Sequence, residues 1–307
     1  MRDRLLGAFL RLLGRLPFRW VGGLGATLGR LMYRRQGRDV RNARTNLKLC
    51  FPHLAAKQRE DMVKINLAET GRSLAEMLNI WTGVQRDWTA LIDNNGFVEA
   101  GRGLLGRGQG LIVALPHLGN WELIAYQVTR IGPTTALYRP PRQAFMDDLM
   151  REGRVRSGIT PVPTDRQGLR ALHAALKRGE IVAILPDQVP KTAGASGVVA
   201  PFFGHPALTM TLLNRLARRH GSPVLFCGAV FDARAGRHRI HHFEGDKAIA
   251  DASAEVAAAA LNRDVERLVR DFPAHYQWTY RRFEIPGGDA PNPYKSAALS
   301  GETAGRV

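Results

Sequence analysis

Three short runs of β-prone apolar residues lie in the middle of this chain, and helical patterns separate them. The runs are 111–115 "LIVAL", 134–138 "TTALY" and 181–185 "IVAIL", and the helical patterns fall at 121–131, 144–156 and 168–178. Apolar strands that alternate with helices are typical of a sheet covered by helices on both faces. The pattern therefore predicts an α/β fold with a mixed, largely parallel central sheet flanked by helices.

Further elements extend this fold at both ends. Helical patterns at 38–49 and 55–79 precede the first run, and Gly71 is expected to interrupt the second of them. Strands at 224–230 and 237–243 and a helix at about 252–271 follow the third run. The longest uncharged stretch, 192–214, is broken by Gly and Pro in its first half. It is predicted to be a loop that leads into a helix near Thr209, and not a transmembrane helix.

The first 35 residues are basic and amphipathic. Apolar residues recur there at helical spacing, with arginines on the rest of the surface: Leu5, Leu6, Phe9, Leu12, Leu13 and Leu16. The uncharged stretch 20–29 is too short to span a bilayer, which takes about 20 apolar residues. We therefore expect residues 1–35 to be an interfacial membrane anchor of amphipathic helices. A core helix with a solvated basic face is the alternative.

The charge of the chain bounds its partners. The excess of 44 Lys+Arg over 27 Asp+Glu gives a formal net charge of +17, which favours an anionic partner such as phospholipid, nucleic acid or an acidic carrier protein. No nucleic-acid recognition motif accompanies the charge, so nucleic acid is not expected as a partner. Cys50 and Cys227 show no metal-ligand or disulfide pattern and are expected to be core residues in a reducing compartment. The composition of 286–307 predicts a disordered tail.

A polar cluster follows each of the three apolar runs. The clusters are "PHLGNWE" after the first run, "RPPR" after the second and "PDQ" after the third. Ligands of open α/β sheets bind at the carboxyl ends of the strands. If the three strands are parallel neighbours, four side chains are expected to converge on one site: His117, Glu122, Arg139 and Asp187.

His117 and Glu122 are the strongest candidates for chemistry. A separation of five residues would place the two side chains about 140° apart around a straight helix. The segment "PHLGN" between them, however, supplies a turn and an N-cap candidate, Asn120. A carboxylate beside an imidazole fixes the tautomer of the ring and leaves the other nitrogen free as a general base. The alternative is a histidine that bonds a backbone carbonyl and a first-turn glutamate that favours the helix dipole. Spacing alone does not decide between these two interpretations.

Other motifs are weaker. The Gly-x-Gly-x-x-Gly match within 101–110 precedes a strand, whereas a dinucleotide fingerprint follows a strand and opens a helix. His241 and His242 are adjacent on a predicted strand, so they point to opposite faces and are not expected to share a metal. Without an evident serine or cysteine nucleophile, direct attack by an acceptor hydroxyl is favoured over a covalent enzyme intermediate.

Seven segments together resemble the bacterial lipid A biosynthesis acyltransferases, the late acyltransferases of the His-x-x-x-x-Glu type. They are "RNARTNLKLCFP" at 41–52, "ETGRSLAEM" at 69–77, "HLGNWE" at 117–122, "YRP" at 138–140, "PDQ" at 186–188, "PFFG" at 201–204 and "YQWTYRRF" at 276–283. They cover nearly the whole chain in the order of the family. The resemblance implies a glycerolipid-acyltransferase-like domain over residues 36–285.

The resemblance also implies an activity and a site. The family moves a fatty acyl chain from acyl carrier protein to a hydroxyl group of a lipid A precursor at the cytoplasmic face of the inner membrane, without a metal or cofactor. His117 would be the general base and Glu122 its orienting partner. Arg139 and Asp187 would line the acceptor pocket or hold the pair, and Arg139 could instead bind a phosphate of the acceptor. Substrate-binding residues are expected in the three motifs: Gly119, Asn120, Trp121, Tyr138, Arg139, Pro140, Pro186, Asp187 and Gln188. The alternatives are a relative that acylates another glycolipid or an aminolipid, and a lipid-binding member without activity.

Overall fold

A seven-stranded sheet forms the centre of the structure, a computed structural model that describes residues 10–12, 14–83, 88–141, 144–190, 196–287 and 292–295. The strands are β1 (Ile92–Asp93), β2 (Leu111–Ala114), β3 (Thr134–Tyr138), β4 (Ile159–Pro163), β5 (Ile181–Ile184), β6 (Gly197–Phe202), β7 (His205–Met210), β8 (Val224–Asp232) and β9 (Arg237–Glu244). The order across the sheet is β1-β9-β8-β2-β5-β3-β4, while β6 and β7 form a separate antiparallel pair. Within this sheet, β8 and β9 are antiparallel to each other, and the other five pairs of neighbouring strands are parallel. The predicted fold class is therefore confirmed.

Helices cover both faces of this sheet. They are α1 (Phe18–Arg34), α2 (Arg38–Cys50), α3 (Ala56–Thr82), α4 (Phe97–Leu105), α5 (Trp121–Val128), α6 (Ala144–Arg156), α7 (Arg166–Lys177), α8 (Leu212–His220) and α9 (Ala254–Asp271). Because side chains alternate along a strand, β2 contributes Leu111 and Val113 to the core beneath α4, α5 and α6. It contributes Ile112 and Ala114 to the core beneath α2, α7, α8 and α9. Both faces of the central strands are thus buried, which explains their continuous apolar sequences.

The structure corrects two expectations about the chain. The region 192–214 was expected to be a loop before α8, but β6 and β7 form a hairpin there. Its two turn residues, Phe203 and Gly204, both have positive φ angles, of 49° and 78°, which is the geometry of a type I′ turn. Gly71 does not interrupt α3, which is continuous from Ala56 to Thr82. Sequence patterns also missed β1, β4 and α4.

Gly71 instead permits a close contact between α1 and α3. A Cβ atom on Gly71 would overlap the backbone oxygen of Gly25, and a Cβ atom on Gly25 would overlap that of Gly71. The glycine face of α1 is therefore buried against α3. The opposite face is apolar and exposed, with Trp20 at 69%, Leu24 at 55% and Leu28 at 60% relative exposure.

The two predicted ends of the domain are described only in part. Residues 1–9 and 13 of the predicted anchor lie outside the described residues, and so do 288–291 and 296–307 of the predicted tail. Among the residues that are described, none of the helices combines the length and apolarity needed to cross a membrane. Within 292–295, Tyr294 is buried, and its hydroxyl donates to Asn46 at 2.6 Å and accepts from the amide of Phe283 at 3.0 Å.

Candidate active site

The loop between β2 and α5 holds His117 at the carboxyl end of the central strand. The carbonyl of His117 accepts from the amide of Gln277 at 2.9 Å, and the amide of Asn120 donates to the carbonyl of Ala229 at 2.8 Å. Gly119 has a φ angle of +63°, and a Cβ atom there would overlap the oxygen of Ala229. The turn therefore requires glycine both for its backbone conformation and for its close approach to β8.

Asp187 and Gln188, which follow β5, hold the imidazole of His117 from both sides. Nδ1 of His117 lies 2.8 Å from Oδ1 of Asp187, and the backbone amide of His117 donates to Oδ2 of the same carboxylate at 3.0 Å. Since a carboxylate only accepts, Nδ1 carries the proton in this arrangement, and the lone pair of Nε2 faces the amide nitrogen of Gln188 at 3.0 Å. The ring thus presents an acceptor nitrogen to the site.

The Asp187 carboxylate stays ionised although it is buried. Burial by itself raises the pKa of Asp187, but the electrostatic attraction of the His117 ring and the two hydrogen bonds from His117 outweigh it and leave this pKa below its ordinary value. The neighbouring Tyr276 is also buried, and burial together with the Asp187 carboxylate raises the pKa of its phenol well above the ordinary value. A neutral phenol and an ionised carboxylate therefore lie behind the imidazole.

Among the described residues, no hydrogen bond or ion pair joins Glu122 to His117, although the sequence led us to expect this pair. Its buried carboxylate pairs with Arg154 of α6, where Nη2 lies 2.5 Å and Nε 3.2 Å from Oε1. The guanidinium of Arg154 also lies over the ring of Tyr138, 5.2 Å from its centroid. Among the described residues, the hydrogen bonds of the His117 ring go to Asp187 and Gln188 instead. The carboxylate beside the His117 ring in this structure is therefore that of Asp187, while the carboxylate of Glu122 is paired with Arg154.

Asn120 fixes the start of α5. Its side-chain oxygen accepts from the amide of Leu123 at 3.3 Å, which caps the helix, and its side-chain nitrogen donates to Glu76 of α3 at 3.1 Å. Oε2 of Glu76 also lies 3.1 Å from Nε2 of the buried His238. The helix that carries Trp121 and Glu122 is therefore tied to α3 through a buried polar contact.

An open cavity of about 590 Å³ lies in front of His117. Its inner wall is apolar, formed by Ala125, Val128, Ala136, Met150, Ile159 and Ala183, and its polar side chains are His117, Glu122, Arg139, Arg154, Thr164 and Gln188. The ring of Trp121 meets that of His117 edge-on at 4.8 Å between centroids. The size and the mixed lining suit a ligand with a long apolar part and a polar end.

The predicted site residues divide between this cavity and its support. His117, Trp121, Glu122, Arg139 and Gln188 line the cavity. Gly119, Asn120, Pro186 and Asp187 are buried behind it, Tyr138 is buried beneath Arg154, and Pro140 is exposed beyond the cavity rim. The three strand ends therefore converge as expected.

Two residues of this region escaped the sequence reasoning. Arg154 lies in a helix that was predicted correctly, but nothing in the local sequence marks it as the partner of Glu122, 32 positions earlier. Glu76 lies within the quoted segment 69–77, so a signal existed, although its contact with Asn120 depends on how α3 crosses α5.

The remaining motifs form no second centre among the residues described. No cluster of three or more His, Cys, Asp or Glu side chains within that part of the chain could hold a metal ion. The glycine-rich segment 101–110 ends α4 and precedes β2. A dinucleotide-binding motif would instead follow a strand and open a helix. Cys50 and Cys227 are buried free thiols whose pKa values burial raises.

Comparison with known proteins agrees with this architecture. The family model described as bacterial lipid A biosynthesis acyltransferase matches residues 3–284. The chain is 30% identical to the lipid A biosynthesis lauroyltransferase of Escherichia coli over 93% of its own length and 92% of that protein. It is 29% identical to the lipid A biosynthesis palmitoleoyltransferase of the same organism, over 90% of its own length and 89% of that protein. These matches identify an acyltransferase. The chain belongs to the bacterial lipid A biosynthesis acyltransferase family.

Proposed function

We propose that this protein transfers a fatty acyl group from acyl carrier protein to a hydroxyl group of a lipid A precursor, as a late acylation step. The observation that carries the proposal is the position of His117, which is oriented by an ionised Asp187 and faces a cavity with an apolar interior. The names of the two relatives, a lauroyltransferase and a palmitoleoyltransferase, support transfer of a fatty acyl chain.

The proposed reaction is a direct transfer. The acceptor hydroxyl takes the place of the Gln188 amide at Nε2 of His117 and gives its proton to that nitrogen as its oxygen attacks the thioester carbon. Asp187 stabilises the imidazolium that forms. The tetrahedral intermediate then expels the thiolate, which receives the proton from His117. Since a thioester has a good leaving group, the protein mainly positions the hydroxyl and takes its proton.

The apolar wall and the polar rim of the cavity would bind different parts of the substrates. The apolar wall formed by α5, α6 and β5 would hold the acyl chain away from water. Arg139 is exposed at the rim, where its guanidinium would bind a phosphate of the acceptor with two parallel hydrogen bonds. Glu122 and Arg154 would form a fixed charged wall between these regions, on the same side as Trp121.

The decisive experiment compares His117→Ala with wild-type protein, using acyl carrier thioester and lipid A precursor. Loss of the base is expected to lower kcat by about 10²–10⁴-fold with little change in KM. His53→Ala is the matched control, because His53 is an exposed histidine outside the cavity. If His117→Ala keeps activity within about threefold of wild type, the general-base role is excluded, given the magnitude of such catalysis.

The acceptor is tested separately in cells. Mass spectrometry of lipids from a deletion strain should show lipid A species that lack one secondary acyl chain. An unchanged lipid A profile, together with another glycolipid or an aminolipid that loses a chain, would assign the protein to that acceptor instead. Binding of acyl donors by purified wild-type protein without any product would instead identify a lipid-binding member without activity.

We also propose that the exposed apolar face of α1 rests on the cytoplasmic leaflet of the inner membrane. Trp20, Leu24 and Leu28 share one helix face at a spacing of four residues, and Arg30 and Arg34 lie on the same helix. Apolar insertion together with basic residues near anionic phospholipid is the combination that holds interfacial helices at a bilayer.

A further inference from the structure

A basic groove lies between α7 and α8, outside the cavity that contains His117. The α7–α8 groove is lined by Leu169, His173, Leu212, Arg215, Arg218 and Arg219. On α7, the exposed Arg166, Arg170 and Lys177 stand four and eleven positions apart, so they share one face of the helix. Neither helix contains an aspartate or a glutamate. The groove is therefore a concentrated source of positive potential.

The cations of the groove lack carboxylate partners within the described chain. Other surface arginines are neutralised, such as Arg107 by Glu244 at 2.6 Å and Arg239 by Asp93 at 2.9 Å. No described ion pair involves the cations of α7 or α8, and the guanidinium of Arg218 donates only to the carbonyl of Ala252 at 3.5 Å. Their positive charge therefore remains available to a partner.

A histidine pair fixes the spacing between the two helices. Nδ1 of His173 lies 2.9 Å from Nε2 of His220. Burial lowers the pKa of both imidazoles; His220 and then Arg219 lower that of His173 further, and Arg219 lowers that of His220. Near neutral pH one ring therefore donates a hydrogen bond to the other. The contact between the two helices is thus neutral, and the positive charge of the groove comes from lysine and arginine.

The groove leads to the mouth of the reaction cavity. Leu212, the first residue of α8, lines both the groove and the cavity. Thr164, two residues before the start of α7, also lines the cavity. A partner that rests on α7 and α8 therefore lies beside the opening through which a flexible thioester arm would reach His117.

The composition of the groove favours a protein partner over a lipid surface. The large exposed apolar side chains lie elsewhere: Trp20, Leu24 and Leu28 are on α1, and Ile65 and Leu74 are on α3. No such side chain is exposed on α7 or α8. A surface with many cations and no large apolar side chain that is exposed for insertion into a bilayer is suited to an acidic, folded partner.

We propose that the α7–α8 groove is the docking surface for the acidic carrier protein that presents the acyl thioester. This proposal rests on the proposed function, and it assigns the donor and the membrane to different faces of the molecule. Opposite charges would steer the carrier to the groove and fix its orientation, which speeds association most at low ionic strength. The carrier then delivers the acyl chain past Thr164 and Leu212 into the cavity.

The test is a double charge reversal, Arg215→Glu with Arg219→Glu. Binding of fluorescently labelled, lauroyl-loaded acyl carrier protein is measured by anisotropy at low ionic strength, and transfer is measured in parallel. The reversal is expected to weaken binding by at least about tenfold and to raise KM for the carrier thioester similarly, while kcat at saturating donor is kept. The effect should shrink as salt is added.

The matched control is Lys48→Glu with Lys57→Glu, an equal change of charge at exposed lysines on α2 and α3. Lauroyl-pantetheine, which carries the arm without the protein, reports on the cavity alone. Equal carrier affinity in the two double variants would overturn the proposal. So would a matching loss of turnover with lauroyl-pantetheine, or release of the groove variant from anionic vesicles with carrier affinity intact.

Binding and turnover also separate this proposal from the proposed function. Wild-type protein that binds the carrier through the groove but transfers nothing would refute the acyl transfer and leave the docking surface standing. Wild-type protein that transfers an acyl group from lauroyl-pantetheine yet shows no affinity for the carrier would refute the docking surface. Melting temperatures equal to that of wild type establish that the exposed substitutions leave the fold intact.

Discussion

Asp187 determines which nitrogen of His117 carries the proton. Its carboxylate accepts from Nδ1 and from the backbone amide of His117, so ring orientation and tautomer are set by the same group. A second-sphere carboxylate of this kind stabilises the imidazolium that forms when the base accepts a proton. In the proposed reaction, the proton transfer therefore depends on a residue that lies behind the cavity and does not line it.

Asp187→Asn tests this dependence. The neutral carboxamide keeps the size of the side chain but cannot stabilise the imidazolium, and an NH₂ group facing Nδ1 would favour the wrong tautomer. We expect kcat to fall by at least about 100-fold with KM nearly unchanged. Steady-state kinetics across pH would measure this effect. Activity within about threefold of wild type, with an unaltered pH profile, would assign Asp187 a purely structural role.

Glu122→Gln separates the two carboxylates of the site. Glu122 is buried with Arg154, and neutralising it leaves a largely buried guanidinium without its counter-charge. We expect a loss of about 3 kcal/mol in the free energy of unfolding, toward the lower end for a broken buried ion pair. Glu152→Gln, an exposed change on α6, should cost far less.

The same variant bears on the mechanism through its pH profile. If Asp187 alone orients His117, the pH dependence of kcat for Glu122→Gln should match that of wild type, whatever the change in kcat itself. Denaturant unfolding and kinetics measured on the same preparation would give both readouts. A pH profile altered in the way that Asp187→Asn alters it would restore Glu122 as the orienting partner.

At the scale of elements, the buried strands with apolar sequences could be predicted from the sequence, whereas strands that contain proline could not. β2 and β5 lie at the centre of the sheet, so their sequences are continuously apolar, and the neighbouring β3 is marked by its β-prone residues. β4 lies at one edge of the sheet and contains Pro161 and Pro163, which reduce the strand signal. The sequence pattern thus revealed the fold through its interior.

The β6–β7 hairpin shows why the rest was missed. Its glycines and prolines were counted as breakers, yet Pro201 and Pro206 face each other one pair beyond the turn. Hydrogen-bonded and open pairs alternate along an antiparallel ladder, so prolines fit at an open pair. The site was predictable to a similar extent. The positions of the strand ends predicted that Asp187 would approach His117. The pairing of Glu122 with Arg154, however, depends on how two helices meet.

Gly25→Ala tests the close packing of α1 on α3. The added methyl group would overlap the backbone oxygen of Gly71, and overpacking of this kind costs about 1–3 kcal/mol in unfolding free energy. Gly23→Ala is the control, because nothing lies within 4 Å of a Cβ atom at that position of the same helix. Alanine there should stabilise the helix by up to about 1 kcal/mol. Equal effects in thermal unfolding would contradict the contact.

At the scale of the whole molecule, three surfaces serve three proposed partners. The cavity at the strand ends would receive the acyl chain and the acceptor hydroxyl, the α7–α8 groove the acidic carrier, and the apolar face of α1 the membrane. The positive residues behind the formal net charge of +17 would thus serve more than one binding surface. Arginines of α1 would face anionic lipid, while those of α8 would face the carrier.

The membrane surface can be tested by placing charge on the apolar face of α1. Leu24→Glu with Leu28→Glu removes two exposed leucines and adds two negative charges beside a basic helix. Since burying one leucine contributes about 1.5–3 kcal/mol, binding to vesicles of phosphatidylglycerol and phosphatidylethanolamine should fall at least about tenfold.

Val199→Glu with Val256→Glu makes the same change of charge at exposed valines on β6 and α9. Because those positions lie outside α1, this control should sediment with vesicles as wild type does. Retained sedimentation of the Leu24 and Leu28 variant would contradict the assignment of this face to the membrane. Equal losses in both variants would indicate that net charge, rather than the apolar face of α1, governs the association with lipid.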